Sequence, residues 1–240
     1  MKKFIFDIDG TLTPSRKQID PSFEAFMIKF CCKHDVYLVT GSNREKTIDQ
    51  IGLDVYYRAH RVYNCAGNDV YEKDKNVYRN PWKLPDDAKE FLLKELKKSL
   101  FSVRTGTHIE DRPGCVNFSI LGRGANWTER EVYKEWDRDN HERIEIAKRF
   151  NKEFPELYAF VGGETGVDIS LKGCDKGQIL RDFDSKDEIH FFGDRMDEDG
   201  NDYPLAEALK EMDGSTHYVT GWEDTRTRLL EFSASGEFFK

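Results

Sequence analysis

The chain reads as an α/β protein: a mainly parallel sheet flanked by helices, interrupted by an inserted α/β segment with an antiparallel sheet. Three observations predict this. Short apolar runs alternate with helix-period segments at the start of the chain and again near its end, the order of βαβ units. Between them lie short runs of period two, the pattern of half-buried antiparallel strands. The change of pattern coincides with "NPWKLPDD", whose prolines lack the N–H that regular pairing needs. The divisions expected are 1–81 for the first part of the core, 82–171 for the insert and 172–240 for the second part.

In order, Phe4–Ile8 is expected as a strand, Ser22–Cys32 as a helix, Asp35–Thr40 as a strand and Arg44–Ile51 as a helix. "RVYNCAG" reads as a third strand, and "DVYEKDKNVYRN" as a hairpin turning at Asp74–Asn76. Asp86 or Asp87 caps a helix that aligns Leu92, Leu96 and Leu100 on one face. Within the insert, "SVRTGTHIE", "CVNFSIL", "LYAFVGG" and "GVDISL" read as strands, with a helix after Asn126 continuing through Phe154. Thr128 and Glu131 have the spacing of a capping box. A helix at Gly177–Phe183 and the strand "EIHFFGD" return to the core pattern, with further elements to Phe232 and a loose tail in "SASGEFFK".

Composition narrows the function. Of 240 residues, 38% are hydrophobic and 34% charged, with aromatics enough to build a core. A net charge of -8 argues against nucleic-acid and anionic-membrane surfaces, which draw on excess Lys and Arg. Five cysteines without a CxxC pair suit neither a disulfide framework nor a structural zinc, and fit a reducing cytoplasm. Asp7 and Asp9 cut short the apolar start of "MKKFIF", which excludes a signal peptide, and no run approaches the ~20 apolar residues of a membrane span.

The chemistry concentrates in "FIFDIDGTLTPSR". Asp7 and Asp9 stand where a buried strand ends, the edge at which open parallel sheets bind ligands. Carboxylates this close resist joint ionisation unless a divalent cation compensates them. "GDRMDEDGND" (Gly193–Asp202) follows a second apolar strand and places Asp194 at the matching position, so that oxygen donors converge on a hard ion, Mg²⁺. A carboxylate beside a cation-bound phosphate can attack phosphorus, and its neighbour can carry the proton of the leaving or accepting oxygen. "VTGS" offers Thr40 and backbone N–H groups to the phosphate, and "CDKG" offers Lys176 at a helix start.

Taken together, "DIDGTLT", "VTGS", "DKG" and "GDRMDEDGND" resemble the haloacid dehalogenase superfamily of phosphotransferases. The resemblance implies a Rossmann-like core with a cap. It implies Asp7 as nucleophile, Asp9 as acid/base, and Thr40 and Lys176 on the phosphate. Mg²⁺ would be held by Asp7, the Asp9 carbonyl and Asp194, with Asp202 from the same acidic loop.

Arg104, Arg112, Arg123 and Arg130 crowd one stretch of an acidic chain. Arg130 near a helix start opposes the helix dipole, which suits a second phosphate held among N–H groups and guanidinium forks. Ion pairing with Glu110, Asp111 or Glu129 is the simpler explanation of the same residues. With "RTGTHIEDRPGCVNFSILGR", "GGETGVDIS" and "FFGDRMDEDGND" added, the chain resembles eukaryotic-type phosphomannomutases from Phe4 to Phe232.

That resemblance implies that Arg16, Arg112, Arg123, Arg130 and Asp168 contact the sugar phosphate, and that the cap mediates a homodimer. It implies interconversion of mannose 6-phosphate and mannose 1-phosphate, with a hexose 1,6-bisphosphate as activator. Two departures stand out: Gly166, at a substrate-contacting position where the family carries serine, and "YNCAGNDVY" in place of Glu-Asn-Gly. A Mg²⁺-dependent sugar-phosphate phosphatase and a non-catalytic sugar-phosphate sensor are the alternatives.

Overall fold

The computed structural model describes residues 2–198 and 200–234. The first elements are β1 (Lys2–Phe6), α1 (Pro21–Cys31), β2 (Asp35–Val39), α2 (Arg44–Arg58), β3 (Arg61–Asn64), β4 (Asp69–Glu72) and β5 (Lys75–Arg79). There follow α3 (Asp86–Lys98), β6 (Ile109–Arg112), β7 (Cys115–Phe118), α4 (Trp127–Asn140), α5 (Glu142–Glu153), β8 (Leu157–Gly162) and β9 (Gly166–Leu171). The chain then forms β10 (Glu188–Gly193), α6 (Tyr203–Lys210), β11 (Ser215–Tyr218) and α7 (Trp222–Ala234). Two compact units result, Met1–Arg79 with Gly173–Lys240, and Asn80–Lys172.

In the first unit the sheet order is β11-β10-β1-β2-β3-β4-β5, with β11 through β3 parallel and β4 and β5 antiparallel. Successive side chains of β1 enter opposite cores: Phe4 and Phe6 pack toward α1, α2 and α7, while Ile5 packs toward Ile179, Leu205 and Leu209. A strand buried on both faces needs the continuous apolar run that "FIF" supplies. α1 starts where Asp20 accepts hydrogen bonds from the Ser22 and Phe23 amides, with Pro21 at the first helical position. It buries Phe23, Met27 and Phe30 at helical spacing, each worth about 1.5–3 kcal/mol of burial.

Several boundaries differ from the sequence reading, each for a local reason. β1 stops at Phe6 because the Ile8 carbonyl accepts from the Thr11, Leu12 and Thr13 amides, folding the chain into a tight loop. α2 runs on to Arg58 past a non-helical Gly52 at φ 76°. The hairpin turns one residue earlier, at Lys73–Asp74, with Lys73 in the left-handed region. The segment Lys176–Asp182 is a 3₁₀-helix, whose threefold period aligns the buried Lys176 and Ile179. The tail expected from Ser233 lies, from residue 235 on, outside the described residues; Asp199 of the acidic loop does as well.

The second unit lays α3, α4 and α5 on one face of a sheet ordered β6-β7-β9-β8, all pairs antiparallel. Ala88, Leu92, Tyr133, Ile146 and Phe150 from the helices pack with Phe118, Leu157, Val167 and Ile169 from the strands. Leu100 falls outside α3 and is exposed, and no side chain caps α3, which begins after Pro85. The capping box belongs to Asn126 and Glu129 rather than Thr128 and Glu131. A left-handed His141 separates α4 from α5, and the buried Asp137 accepts from the Arg143 amide at 2.9 Å and its Nε at 2.8 Å. Trp82 and Trp136 pack against the core, whereas Trp127 is exposed.

Of the strand expected over Ser102–Glu110, only Ile109 and Glu110 fall in β6, which runs on to Arg112. Upstream of it, Arg104 turns inward and donates to the carbonyls of Leu96 and Ser99 at the end of α3 and of Phe101 and Val103 in the segment after it. This arginine closes a helix C-terminus instead of joining an anion site. Arg104→Ala strands those carbonyls and is expected to cost about 1–3 kcal/mol. Urea denaturation measures it as a lower midpoint with an unchanged slope.

Candidate active site

Three parallel strands deliver the principal groups. β10, β1 and β2 are neighbours, so their carboxyl ends present Asp194, Asp7 and Thr40 along one edge. The Asp7 amide still bonds to the Phe192 carbonyl at 2.9 Å, which continues the ladder to the residue whose side chain matters. Gly10, at φ 83°, leaves room for the Asp194 carboxylate: a Cβ there would overlap Asp194 Oδ2. Asp202, just before α6, turns its Oδ2 to the Arg195 amide at 3.1 Å.

Lys176 is buried among these acids. Its Nζ lies 2.5 Å from Asp7 Oδ1 and 2.7 Å from Asp202 Oδ1. Burial works against the ammonium, yet Asp202 and Asp7 together hold it above the usual lysine range. Burial also pushes the Asp7 carboxyl well up; Lys176 pulls it back, while Asp202 and Asp194 push it further. Asp194 is raised to about 6 by burial and by Asp202. One ammonium does not neutralise three carboxylates.

The donor set fits a hard divalent cation. Asp7, Asp194 and Asp202 each bring an oxygen within 4.8 Å of the others, and Asp7 Oδ2 is buried without a hydrogen-bond partner. All-oxygen ligation of this kind is what Mg²⁺ takes. The Asp9 side chain stands apart from this cluster. Its Oδ1 accepts from the Arg16 amide at 2.6 Å and from Gln50 Nε2 at 2.9 Å.

Gln50 was absent from the sequence reading. It is buried on α2 beside Thr47 and Ile51, and an uncharged polar residue on an apolar helix face was the signal available. For Arg16 the structure gives a backbone contact to Asp9, made from a left-handed residue at φ 60°.

Thr40 is buried two residues beyond Leu38, the partner of Phe6, and its Oγ1 accepts from the Ser42 amide at 3.1 Å. The strand expected through "RVYNCAG" ends at Asn64. Cys65 and Ala66 donate their amides to the Ser42 and Thr40 carbonyls at 2.9 and 2.8 Å, so they brace the Thr40 loop instead of extending β3. Cys65, Ala66 and Gly67 are all left-handed, with φ of 49°, 56° and 90°. Non-glycine residues hold that geometry at a cost of about 1–2 kcal/mol each, strain concentrated beside the Thr40 loop.

The second unit carries its own charged face. Alternation along the strands buries Phe118, Ile169 and Ala159 under the helices and turns the intervening residues to the other side. Cross-strand register aligns Glu110, Asn117, Asp168 and Phe160 in one row, and Arg112, Cys115, Ser170 and Tyr158 in the next. Glu110 pairs with Arg112 at 2.6 Å and with Arg123 at 3.0 Å, and Arg130 pairs with Glu164 at 3.1 Å. Arg112 reaches Asp168 at 3.9 Å. Burial, with Arg112 and Arg130 nearby, outweighs Glu110 and holds Arg123 below the ordinary guanidinium range. Ion pairing and a crowded guanidinium cluster therefore coexist, and an anion would relieve the crowding.

Two outcomes follow for the acidic cluster. Folded Asp194 binds its proton more tightly than unfolded, so in EDTA its contribution to stability falls as pH rises from 3.8 to about 6. Thermal melts across this range should show a slope that Asp194→Asn flattens and Mg²⁺ suppresses. Above pH 6, Mg²⁺ at a hundredfold excess over its Kd should add about 2.7 kcal/mol to the wild type. Separately, Ala66→Asn relieves left-handed strain and is expected to raise the urea midpoint by about 1 kcal/mol equivalent.

Residues 23–234 match the family model described as eukaryotic phosphomannomutase. A phosphomannomutase of Spinacia oleracea is 31% identical over 235 residues, covering 95% of this chain and 94% of the relative. One from Saccharomyces cerevisiae is 30% identical over 239 residues, with 95% and 92% covered. Among solved structures, a trehalose-6-phosphate phosphatase related protein aligns over the whole of both chains with TM-score 0.60 and 20% identity. A haloacid dehalogenase subclass IIB sugar phosphatase aligns with TM-score 0.62 and 14% identity, over 97% of this chain and 99% of that one. These structures establish the fold, and the sequence relatives establish more: the chain belongs to the eukaryotic phosphomannomutase family, on the haloacid dehalogenase fold.

Proposed function

We propose that this enzyme is a phosphomannomutase, an isomerase that interconverts mannose 6-phosphate and mannose 1-phosphate and also accepts the glucose pair. The observation that carries the reading is a second cationic cluster. A phosphatase needs one phosphate site, which the edge at Asp7 supplies; Arg112, Arg123 and Arg130 around Asp168 suit a substrate with a second anionic end.

In the proposed cycle, phosphorylated Asp7 passes its phosphoryl group to a hydroxyl of the hexose monophosphate, whose proton goes to Asp9. The hexose 1,6-bisphosphate then presents its other end. Asp7 takes that phosphoryl group and Asp9 returns a proton to the departing oxygen. Gln50 and the Arg16 amide keep the Asp9 carboxylate oriented throughout. Lys176 fixes Asp7, and Thr40 with the backbone after it meets the phosphate oxygens. Asp7, Asp194, Asp202 and the Asp9 carbonyl would hold Mg²⁺, which would supply positive charge to the phosphoryl oxygens.

The arginines of the inserted segment, acting as a cap domain, take the phosphate that Asp7 does not hold. Asp168, Arg16 and the backbone at Gly166 contact the sugar. A free hexose 1,6-bisphosphate activates the enzyme by phosphorylating Asp7. We place the protein in the cytoplasm as a homodimer joined through the cap; among the described residues no helix is long and apolar enough to cross a membrane.

Purified protein with Mg²⁺, mannose 1-phosphate and a trace of glucose 1,6-bisphosphate should yield mannose 6-phosphate. Inorganic phosphate without isomer would reject the mutase in favour of a phosphatase. Asp7→Asn should abolish turnover, and a cellular role that survives it would favour a sensor. Arg130→Ala should lower isomerisation about 10- to 100-fold, through loss of charge-assisted bonds, and far more than it lowers hydrolysis of a small aryl phosphate. Equal loss of both activities would contradict the second phosphate grip.

A further inference from the structure

Asn117 lies at the centre of the charged face of the second unit, and nothing in the proposed cycle uses it. It is 3% exposed, and its amide is engaged at both ends. Nδ2 donates to Asp168 Oδ1 at 2.6 Å, and Oδ1 accepts from Arg123 at 3.5 Å. The cross-strand register fixes why: Asn117 on β7 faces Asp168 on β9, with Glu110 of β6 on its other side. Glu110 in turn holds both Arg112 and Arg123.

Gly166 explains how the amide fits there. A Cβ at that position would overlap Asn117 Nδ2 and stand 3.0 Å from Oδ1 and 3.1 Å from Cγ. The backbone at Gly166 is not left-handed, so conformation does not require glycine. Space does. The side chain that Gly166 lacks and the amide that Asn117 supplies compete for one volume beside Asp168.

We propose that Asn117 is a positioning residue for sugar recognition: it occupies the volume vacated at Gly166, orients the Asp168 carboxylate toward the sugar hydroxyls, and links it to the phosphate-binding Arg123. This deepens the phosphomannomutase reading and rests on it for the identity of the ligand. The neutral amide suits the place. It gives Asp168 a donor without adding a charge to a face where Arg123 already feels two other guanidinium groups.

The two positions are coupled, and a double-mutant cycle reads the coupling. Asn117→Ala removes the donor to Asp168 and is expected to weaken calorimetric binding of mannose 1-phosphate about 10-fold, the effect of one hydrogen bond to a charged group. Gly166→Ser drives the amide out and should weaken binding in the same direction. In the double variant the serine occupies the emptied volume and brings a hydroxyl beside Asp168, so affinity should recover most of the way to wild type.

Losses that simply add, or a Gly166→Ser variant that binds as wild type does, overturn the proposal. A purely structural role for Asn117 predicts lowered melting temperatures with no recovery of affinity in the double variant, which also overturns it. Should Asn117→Ala fail to fold, Asn117→Ser at the same position, alone and with Gly166→Ser, completes the cycle. Isomerisation by the wild type is assayed in parallel: a protein that binds the sugar phosphate without isomerising it sinks the mutase reading alone, while one that does not bind it sinks both.

Discussion

The buried contact of Lys176 with Asp7 and Asp202 is the constraint on which the active edge depends. An ammonium enclosed by protein is tolerated only when opposite charges lie at hydrogen-bond distance, and here two carboxylates do, at 2.5 and 2.7 Å. The contact joins residues far apart in sequence: the end of β1, the start of the 3₁₀ segment and the start of α6. It orients Asp7, whose second oxygen is then directed into a buried space without a partner. The remaining acid, Asp194, makes the cluster over-acidic, and that excess negative charge is what a divalent cation would satisfy.

Around this cluster the supporting structure divides its tasks. Gly10 admits the Asp194 carboxylate where any side chain would collide. Gln50 reaches from α2 to hold the Asp9 side chain away from the Asp7, Asp194 and Asp202 cluster, so two aspartates two residues apart keep different environments and can serve different chemistry. The left-handed Cys65–Gly67 turn supports the carbonyls of Thr40 and Ser42. In the second unit, the sheet separates an apolar face that packs on helices from a charged face whose arginines are held by Glu110 and Glu164. Stability and recognition thus use alternate residues of the same strands.

Much of the fold was legible. The β1, β2 and β10 runs are continuous apolar stretches of the kind that only a strand covered on both faces requires, and their order with α1 and α2 implied a parallel sheet. The insert was recognisable because its strands alternate in polarity. Boundaries were less legible where a tertiary contact overrode local preference. Leu100 has the spacing of the α3 apolar face, yet the helix ends earlier, where Arg104 collects its carbonyls. Asn126 took the cap that Thr128 could have made. The 3₁₀ segment that starts at Lys176 buries a lysine and an isoleucine three residues apart on one side.

The sequence by itself determined where the candidate groups lie: Asp7, Asp9, Lys176 and Asp194 sit in motifs whose spacing places them at or near strand ends, because strand period and chain order set that placement. It also determined that Arg112, Arg123 and Arg130 belong to one cationic stretch. Only the tertiary structure decided that Arg104 is not part of it, that Asp202 shares Lys176 with Asp7, that Gln50 holds Asp9, and that Asn117 fills the room beside Gly166. Those relations depend on side-chain reach across elements distant in the chain, and no local pattern encodes the volume that one residue leaves for another.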